Sequence, residues 1–344
     1  MTRKTKLKIG VIGGGAISQA GHLPFYAKDR GTEIHVATRS RERRDEIEAT
    51  FPGRIAGFYT DWRRLLREQE LDAVSICTPN YLHARNCLAA AERGIHVLCE
   101  KPLALTLADG RRMVEACHKN RVVLMVNFTT RFFHGPRRVK RLMEQGRVGD
   151  IHSLRIRLVH EGPYANWAKG DWFYDPAKAG GGALMDMGIH AIDICQYLMG
   201  PIRSVSASLA TLSKEIPLED SATLTVGFDG DRFGLLEAGW TGGAGFTGIE
   251  VNGSKGSIVL DYRKGLSLFL GRARPDGSVD VKEQALRVDP LGGGWGVVIK
   301  EFLNHVREGS RPECDGNAGL TALQVALAAR KSHKTGRRIR MESA

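Results

Sequence analysis

The chain has 344 residues, 42% of them hydrophobic and 26% charged, which is too long for one comfortable core and predicts two folded domains. The formal charge of +12 is high, but Lys and Arg are interspersed with acids, as in Arg41-Glu-Arg-Arg-Asp-Glu46, and no helix-turn-helix, zinc or RNA-binding motif accompanies them, so the balance reads as a solvated surface without a nucleic-acid partner. No apolar run reaches the ~18 residues of a membrane span, and the basic start Met1–Lys8 leads into a strand without a signal-peptide apolar stretch, so a cytoplasmic protein without a membrane partner is expected.

Lys8-Ile-Gly-Val-Ile-Gly13 reads as a buried parallel strand. It runs into Gly13-Gly14-Gly15-Ala16-Ile17-Ser18, which fits G-x-G-x-x-(small). Gly13 permits a tight turn, Gly15 removes the side chain that would block a pyrophosphate, and Ser18 is small enough for close helix–strand packing. The following helix points its first amides at the phosphates, so Gly13, Gly15, Ala16 and Ile17 are expected to contact a dinucleotide. Glu33–Thr38 is a second strand, and Ser40 suits the cap of the charged helix after it. Where such folds carry an acid for the ribose 2′-hydroxyl, this chain has Thr38, followed by Arg39, Ser40, Arg41, Arg43 and Arg44. That is the chemistry of a 2′-phosphate, expected at Thr38, Arg39, Ser40 and Arg43; the alternative is a solvated basic helix face.

Leu71–Cys77 is a strand ending in Thr78-Pro79-Asn80, followed by an Ala-rich helix through Ala91. Gly94–Cys99 is another, ending in Glu100-Lys101-Pro102; Thr106–Asp109 opens a helix with a capping-box variant, and Val122–Val126 is a further strand. Strands and helices alternating at this spacing predict a doubly wound parallel sheet over residues 1–126. Ligands bind such sheets at the carboxyl ends of strands, where Thr78, Pro79, Asn80, Glu100 and Lys101 fall.

From Asn127 to the end, residues 127–344, the pattern becomes α+β. Ser153–Val159, Ala222–Phe228 and Gly256–Asp261 alternate apolar and polar residues, and turns such as Asp229-Gly230-Asp231 and Asn252-Gly253-Ser254 separate them. An antiparallel or mixed sheet follows. Gly319–Arg330 is an amphipathic helix. Within this half, Gly180-Gly-Gly-Ala-Leu-Met-Asp186-Met-Gly-Ile-His190 sets a carboxylate and an imidazole four residues apart, on one face of a helix. A group titrating near neutrality beside a fixed charge suits proton transfer. Trp167, Trp172, Phe173 and Tyr174 precede the glycine run and either wall a sugar site, Trp172 above all, or pack in the core. The six cysteines lack disulfide or metal-ligand spacing; Cys77, Cys99 and Cys195 read as small buried side chains, and no metal is expected.

These motifs, in this order, resemble the glucose–fructose oxidoreductase and inositol dehydrogenase (Gfo/Idh/MocA) family. The carrying residues are Gly13–Ser18, Thr78-Pro79-Asn80 with His83, Glu100-Lys101-Pro102, Arg131-Phe132, the run from Gly180 through Asp186 and His190 to Asp193, and Glu219-Asp220-Ser-Ala222. The resemblance implies a Rossmann domain, a second domain on a large, mostly antiparallel open sheet, a nicotinamide cofactor, and Lys101, Asp186 and His190 at the reacting centre. It also implies His83 beside the cofactor, and a dimer or tetramer. Glu100 either holds Lys101 or contacts the cofactor, and Arg131 either meets a carboxylated or phosphorylated sugar or is a structural Arg in an ion pair. Thr38 departs from the Asp of many members and favours NADP over NAD.

A Lys at a strand's carboxyl end can support developing alkoxide charge. His190 is then the general acid/base, Asp186 orients it or a substrate hydroxyl, and Asp193 is a structural partner. The expected activity is interconversion of a secondary alcohol and a carbonyl on a sugar, inositol or sugar acid. Two alternatives stay open: a redox-neutral enzyme that uses a bound nicotinamide transiently, and a dinucleotide sensor without turnover, against which intact Lys101, Asp186 and His190 argue.

Overall fold

Strand β1 (Leu7–Ile12) starts a sheet whose other strands are β2 (Thr32–Ala37), β3 (Ile55–Tyr59), β4 (Ala73–Ile76), β5 (His96–Glu100) and β6 (Leu124–Asn127). The structure, a computed structural model, describes residues 6–164, 170–276 and 278–341. The six strands lie in the order β3-β2-β1-β4-β5-β6, and every neighbouring pair is parallel. Ile9, Val11, Ile34, Val36, Val74, Ile76, Val97 and Leu98 have no exposed surface, as a sheet covered on both faces requires. Strand order reverses between β1 and β4. The loops leaving those two strands, Gly13–Gly15 and Thr78–Asn80, therefore flank the crevice where such sheets take ligands.

The helices between the strands are α1 (Leu23–Lys28), α2 (Arg41–Thr50), α3 (Trp62–Glu68), α4 (His83–Ala91) and α5 (Leu107–Lys119). Ser40 caps α2 by accepting from Arg43 N, and Thr106 caps α5 by accepting from Asp109 N, both at 3.1 Å. Helical backbone begins at Ala16, widens into a π-turn over Ser18–His22 and continues as α1. Pro24 lies at the start of α1; it has no N–H to give an earlier carbonyl, and the wider turn ahead of it accommodates its ring.

The first compact unit comprises residues 1–128, 166–180 and 295–323; the second comprises 129–165, 181–294 and 324–344. The cut expected at 126/127 thus falls two residues early, and two later segments rejoin the first unit. In that unit Trp295–Glu308 packs on α1, where Gly296 leaves room for Phe25, and Gly319 sits against Val126.

The second unit is built on nine strands: β7 (Ile151–Val159), β8 (Ser204–Ala210), β9 (Ser221–Gly227), β10 (Phe233–Gly239), β11 (Gly248–Gly253), β12 (Gly256–Asp261), β13 (Gly265–Ala273), β14 (Val279–Leu286) and β15 (Ile339–Arg340). Their order is β14-β13-β12-β11-β7-β10-β9-β8-β15, antiparallel except for the parallel pair β7–β10. Leu154, Ile156, Leu224, Val226 and Leu236 are buried, while Thr223, Thr225 and Leu235 between them are exposed. The buried face meets the apolar helix Ile189–Met199. Cys99 and Cys195 are buried, whereas Cys77, at the carboxyl end of β4, is only partly so. No described helix is long and apolar enough to cross a membrane.

Candidate active site

The glycine corner is explained residue by residue. Gly13 has φ +108°, and a Cβ there would lie 2.6 Å from Cys77 O. A Cβ on Gly14 would strike Thr38 at 2.8 Å. On Gly15 it would meet nothing within 4 Å, so the space its missing side chain leaves is not filled by protein. That open cradle, ahead of the helical amides beginning at Ala16 and Ile17, fits a pyrophosphate.

Ser18 Oγ donates to Gly15 O at 2.8 Å, and Gln19 Nε2 donates to Gly14 O at 3.0 Å. Gln19 also reaches Glu46 Oε2 at 3.1 Å, which accepts from Arg43 Nη1 at the same distance. Arg43 is thus tied into the brace of the glycine corner. Arg39 is exposed and has no side-chain partner among the described residues, and Thr38 puts no carboxylate beside it. The corner fits a dinucleotide.

At the end of β4, Thr78 Oγ1 donates to Asn86 Oδ1 at 3.0 Å, and Asn80 Nδ2 donates to Ala179 O at 2.7 Å. His83 has no exposed surface. Its Nδ1 lies 2.8 Å from Pro102 O and its Nε2 2.9 Å from Thr78 O. Both ring nitrogens therefore face backbone carbonyls, and the neutral ring donates to one of them. His83 ties the Thr78 and Lys101-Pro102 loops together, and is not turned toward a ligand as the resemblance implied. Burial pushes its pKa down, against the two carbonyls and Glu100, which favour its charged form.

Lys101 is partly buried and is joined to Pro102 by a cis peptide bond. The carboxylate of Glu100 turns inward instead. Its Oε1 accepts from Asn127 Nδ2 at 2.6 Å and lies 2.8 Å from His22 Nε2. Its Oε2 accepts from the Lys101 amide at 3.3 Å. Sequence reasoning missed His22; the only cue was a His, Pro pair two residues apart after the fingerprint.

In the second unit, Asp186 lies in a π-turn over Leu184–Gly188 that leads into the helix Ile189–Met199. Its Oδ2 accepts from Trp240 Nε1 at 2.9 Å and lies 3.5 Å from His160 Nε2. His160 Nδ1 accepts from the Gly162 amide at 2.7 Å, which places the proton of the neutral ring on Nε2, facing Asp186. The described partners of Asp186 are thus His160 and Trp240, two residues the i, i+4 argument did not reach. Both follow the ends of parallel neighbours, since Val159 of β7 is in register with Gly239 of β10.

His190, 7% exposed, has its Nδ1 3.2 Å from Thr130 Oγ1. One helical turn on, fully buried Asp193 accepts from Arg131 Nε at 2.9 Å and from Arg131 Nη2. Arg131 is 6% exposed. Thr130 and Arg131 sit in one short turn, Thr129–Phe132, and so fasten the His190 helix at two points.

The glycine run is equally determined: a Cβ on Gly182 would lie 1.9 Å from Glu219 O, and Gly182 N donates to Glu219 Oε1 at 2.8 Å. Asp220, also buried, accepts from the amides of Leu212, Ser213 and Lys214. Trp172 and Phe173 stack with ring centroids 3.8 Å apart; Trp167 lies outside the described residues. Among the described residues, no group of three or more His, Cys, Asp or Glu is placed to hold a metal.

Comparison with known proteins identifies the family. The model of an oxidoreductase family with an NAD-binding Rossmann fold matches residues 7–128, and that of the GFO/IDH/MocA C-terminal domain matches residues 137–259. A levoglucosan dehydrogenase of Pseudarthrobacter phenanthrenivorans is 30% identical, over 88% of this chain and 90% of its own. A myo-inositol 2-dehydrogenase of Thermotoga maritima is 29% identical over 98% and 99%. A 2,7-anhydro-N-acetylneuraminate hydratase of Mediterraneibacter gnavus is 32% identical, but over only 59% and 54%. The solved levoglucosan dehydrogenase complex with NADH and levoglucosan superposes with a TM-score of 0.84 at 25% identity, covering 98% of this chain and 99% of that one. With an open glycine cradle after β1, an inward Glu100 before Lys101, and a second unit in which the turn and helix carrying Asp186 and His190 accompany a nine-stranded sheet, the chain belongs to the GFO/IDH/MocA family of NAD-binding oxidoreductases.

Proposed function

We propose that the protein interconverts a secondary alcohol and a carbonyl on a sugar, inositol or sugar acid. A bound nicotinamide supplies or accepts the hydride. The rest falls to this chain. Lys101 hydrogen-bonds the reacting oxygen and supports its developing charge. His190 gives or takes the proton, and Asp186 orients His190 or a neighbouring hydroxyl. The observation that carries this reading is the state of Asp186: its side chain is 13% exposed, and the Trp240 indole and the His160 ring hold it on the protein side. A carboxylate fixed in that way suits a substrate rich in hydroxyls better than an apolar alcohol.

Trp172, stacked on Phe173, offers a flat apolar face to a sugar ring. Arg131 serves the site by fastening the His190 helix through Asp193. The cofactor reading is NADP(H) ahead of NAD(H), supported by Thr38 and exposed Arg39. Assembly as a dimer or tetramer in the cytoplasm belongs to the same reading, and light scattering reads the assembly.

The test is a panel of sugars, inositols and sugar acids with both cofactors, following the nicotinamide absorbance. Lys101→Ala and His190→Ala should each lower turnover by roughly 100-fold or more while cofactor binding persists. Activity confined to aliphatic alcohols overturns the reading. The hydratase relative favours one second reading, a reaction without net redox change. Product formed without stoichiometric NAD(P)H change would select it.

A further inference from the structure

Glu100 is only 8% exposed, yet three N–H groups converge on its carboxylate: Asn127 Nδ2 and His22 Nε2 on one oxygen, the Lys101 amide on the other. Behind His22 the row continues. His22 Nδ1 lies 3.1 Å from Ser75 Oγ, which lies 2.7 Å from the Tyr26 hydroxyl. His22, Ser75 and Tyr26 have no exposed surface. A polar row in a core of Val, Ile and Leu costs desolvation unless every member is satisfied. One proton arrangement satisfies this one: Tyr26 O–H donates to Ser75, Ser75 O–H to His22 Nδ1, and His22 Nε2–H to Glu100. It needs no charge on His22, and every donor points toward the carboxylate.

We propose that His22 is a positioning residue of the reaction centre: through the Tyr26–Ser75–His22 row it holds Glu100 as a fixed anion, and that anion, accepting from the Lys101 amide, keeps the peptide that carries Lys101 in place. This rests on the role of Lys101 given above. Titratable groups face Glu100 from several elements: His22, and Tyr26 behind it, from the first helix; Cys77 past the end of β4; Cys99 on its own strand and Lys101 just after it; and His83 from α4. From β6 comes only the Asn127 amide. Burial pushes the Cys77 and Cys99 thiols well up, so neither competes as an anion. Burial also pushes Glu100 up, but His22, Lys101 and Asn127 together bring it below the ordinary carboxylate value.

Infrared titration of the cofactor-free protein, with Glu100→Gln as blank, reads the protonated carboxyl band of Glu100. In His22→Leu its midpoint should move to higher pH. In His22→Gln, which keeps an N–H donor and cannot titrate, it should stay near the parent. Asn127→Leu removes a different donor and should move it in the same direction as His22→Leu, and it carries the comparison if His22→Leu does not fold. In turnover, His22→Leu should move the acid limb of kcat to higher pH and lower kcat roughly tenfold at mildly acid pH, leaving the KM for cofactor unchanged. His22→Gln should restore both.

An unmoved band in His22→Leu and Asn127→Leu overturns the proposal. So does a loss in His22→Gln equal to that in His22→Leu, or a moved band with an unmoved acid limb. Retained turnover in Lys101→Ala is a different failure, that of the Lys101 assignment, and the infrared result is independent of it.

Discussion

The indole N–H of Trp240 donates to Asp186 Oδ2 at 2.9 Å, joining residues 54 positions apart. Trp240 is 1% exposed, so its N–H must find a partner inside the protein, and that partner is the carboxylate assigned to the reaction. Trp240→Phe keeps most of the ring volume and removes the donor. Stability should fall by about 1–3 kcal/mol. Turnover should fall roughly tenfold or more as Asp186 loses its fixed orientation. Denaturant unfolding and steady-state kinetics measure the two, and parental turnover would detach Trp240 from the site.

The buried Arg131–Asp193 pair gives a prediction about substrate charge. Arg131→Ala leaves Asp193 buried without its partner and should cost about 3–5 kcal/mol. Arg131→Met with Asp193→Leu should recover most of that loss. Because Arg131 is fastened to the His190 helix, its replacement should depress turnover equally for neutral sugars and sugar acids. A loss confined to sugar acids would restore Arg131 as a substrate contact.

Cofactor choice turns on Arg39. Calorimetric titration of Arg39→Ala should show NADP(H) binding weakened by about 1.5–3 kcal/mol and NAD(H) binding unchanged. Arg43→Ala should matter less, since Arg43 is already engaged by Glu46. Thr38→Asp should invert the preference. Tighter NAD(H) binding by the parent protein ends this reading of the Thr38–Arg43 stretch.

His83 predicts a pH dependence of stability. Its folded pKa lies below the unbound value of 6.5, so the unfolded chain takes up the proton first. Its contribution is therefore fully present above about pH 6.5 and is lost as pH falls from there through the lower folded pKa. His83→Gln should flatten the fall in unfolding free energy on acidification relative to the parent. His83→Leu should also cost about 1–3 kcal/mol for the carbonyl that loses the neutral ring's single N–H.

The first sheet was legible because its central strands are apolar on both faces and each is followed by turn residues. Strand β3 escaped notice: it is an edge strand, Ile-Ala-Gly-Phe-Tyr, with no residue fully buried. In the second unit, β9 and β12 announced themselves by alternation. Strands β13 and β14 carry their pattern through Ser, Gly and charged residues, because β14 lies exposed at the sheet edge. Asp186 and His190 stood out by their four-residue spacing, although Asp186 lies in the π-turn ahead of the helix that carries His190. Their partners His160, Trp240 and Thr130 were not, because only the register of β7 on β10 and the turn at Thr129–Phe132 bring them close. His22 was hidden for a different reason. A histidine in a short helix carries no mark of burial until the strand ends beneath it are placed.

Each glycine run is followed within two residues by a π-turn, Ser18–His22 after Gly13–Gly15 and Leu184–Gly188 after Gly180–Gly182. A π-turn is one residue more than an α-turn needs, and each residue advances a helix by about 100°. Deleting one residue from either turn would leave composition, charge and hydrophobicity almost untouched. It would nonetheless swing the downstream helix out of phase, carrying Tyr26 away from Ser75 in one case and His190 away from Thr130 in the other. The chain's sensitivity is thus to length as much as to side-chain identity, and single-residue deletions across these two turns would expose what a scan of substitutions passes over.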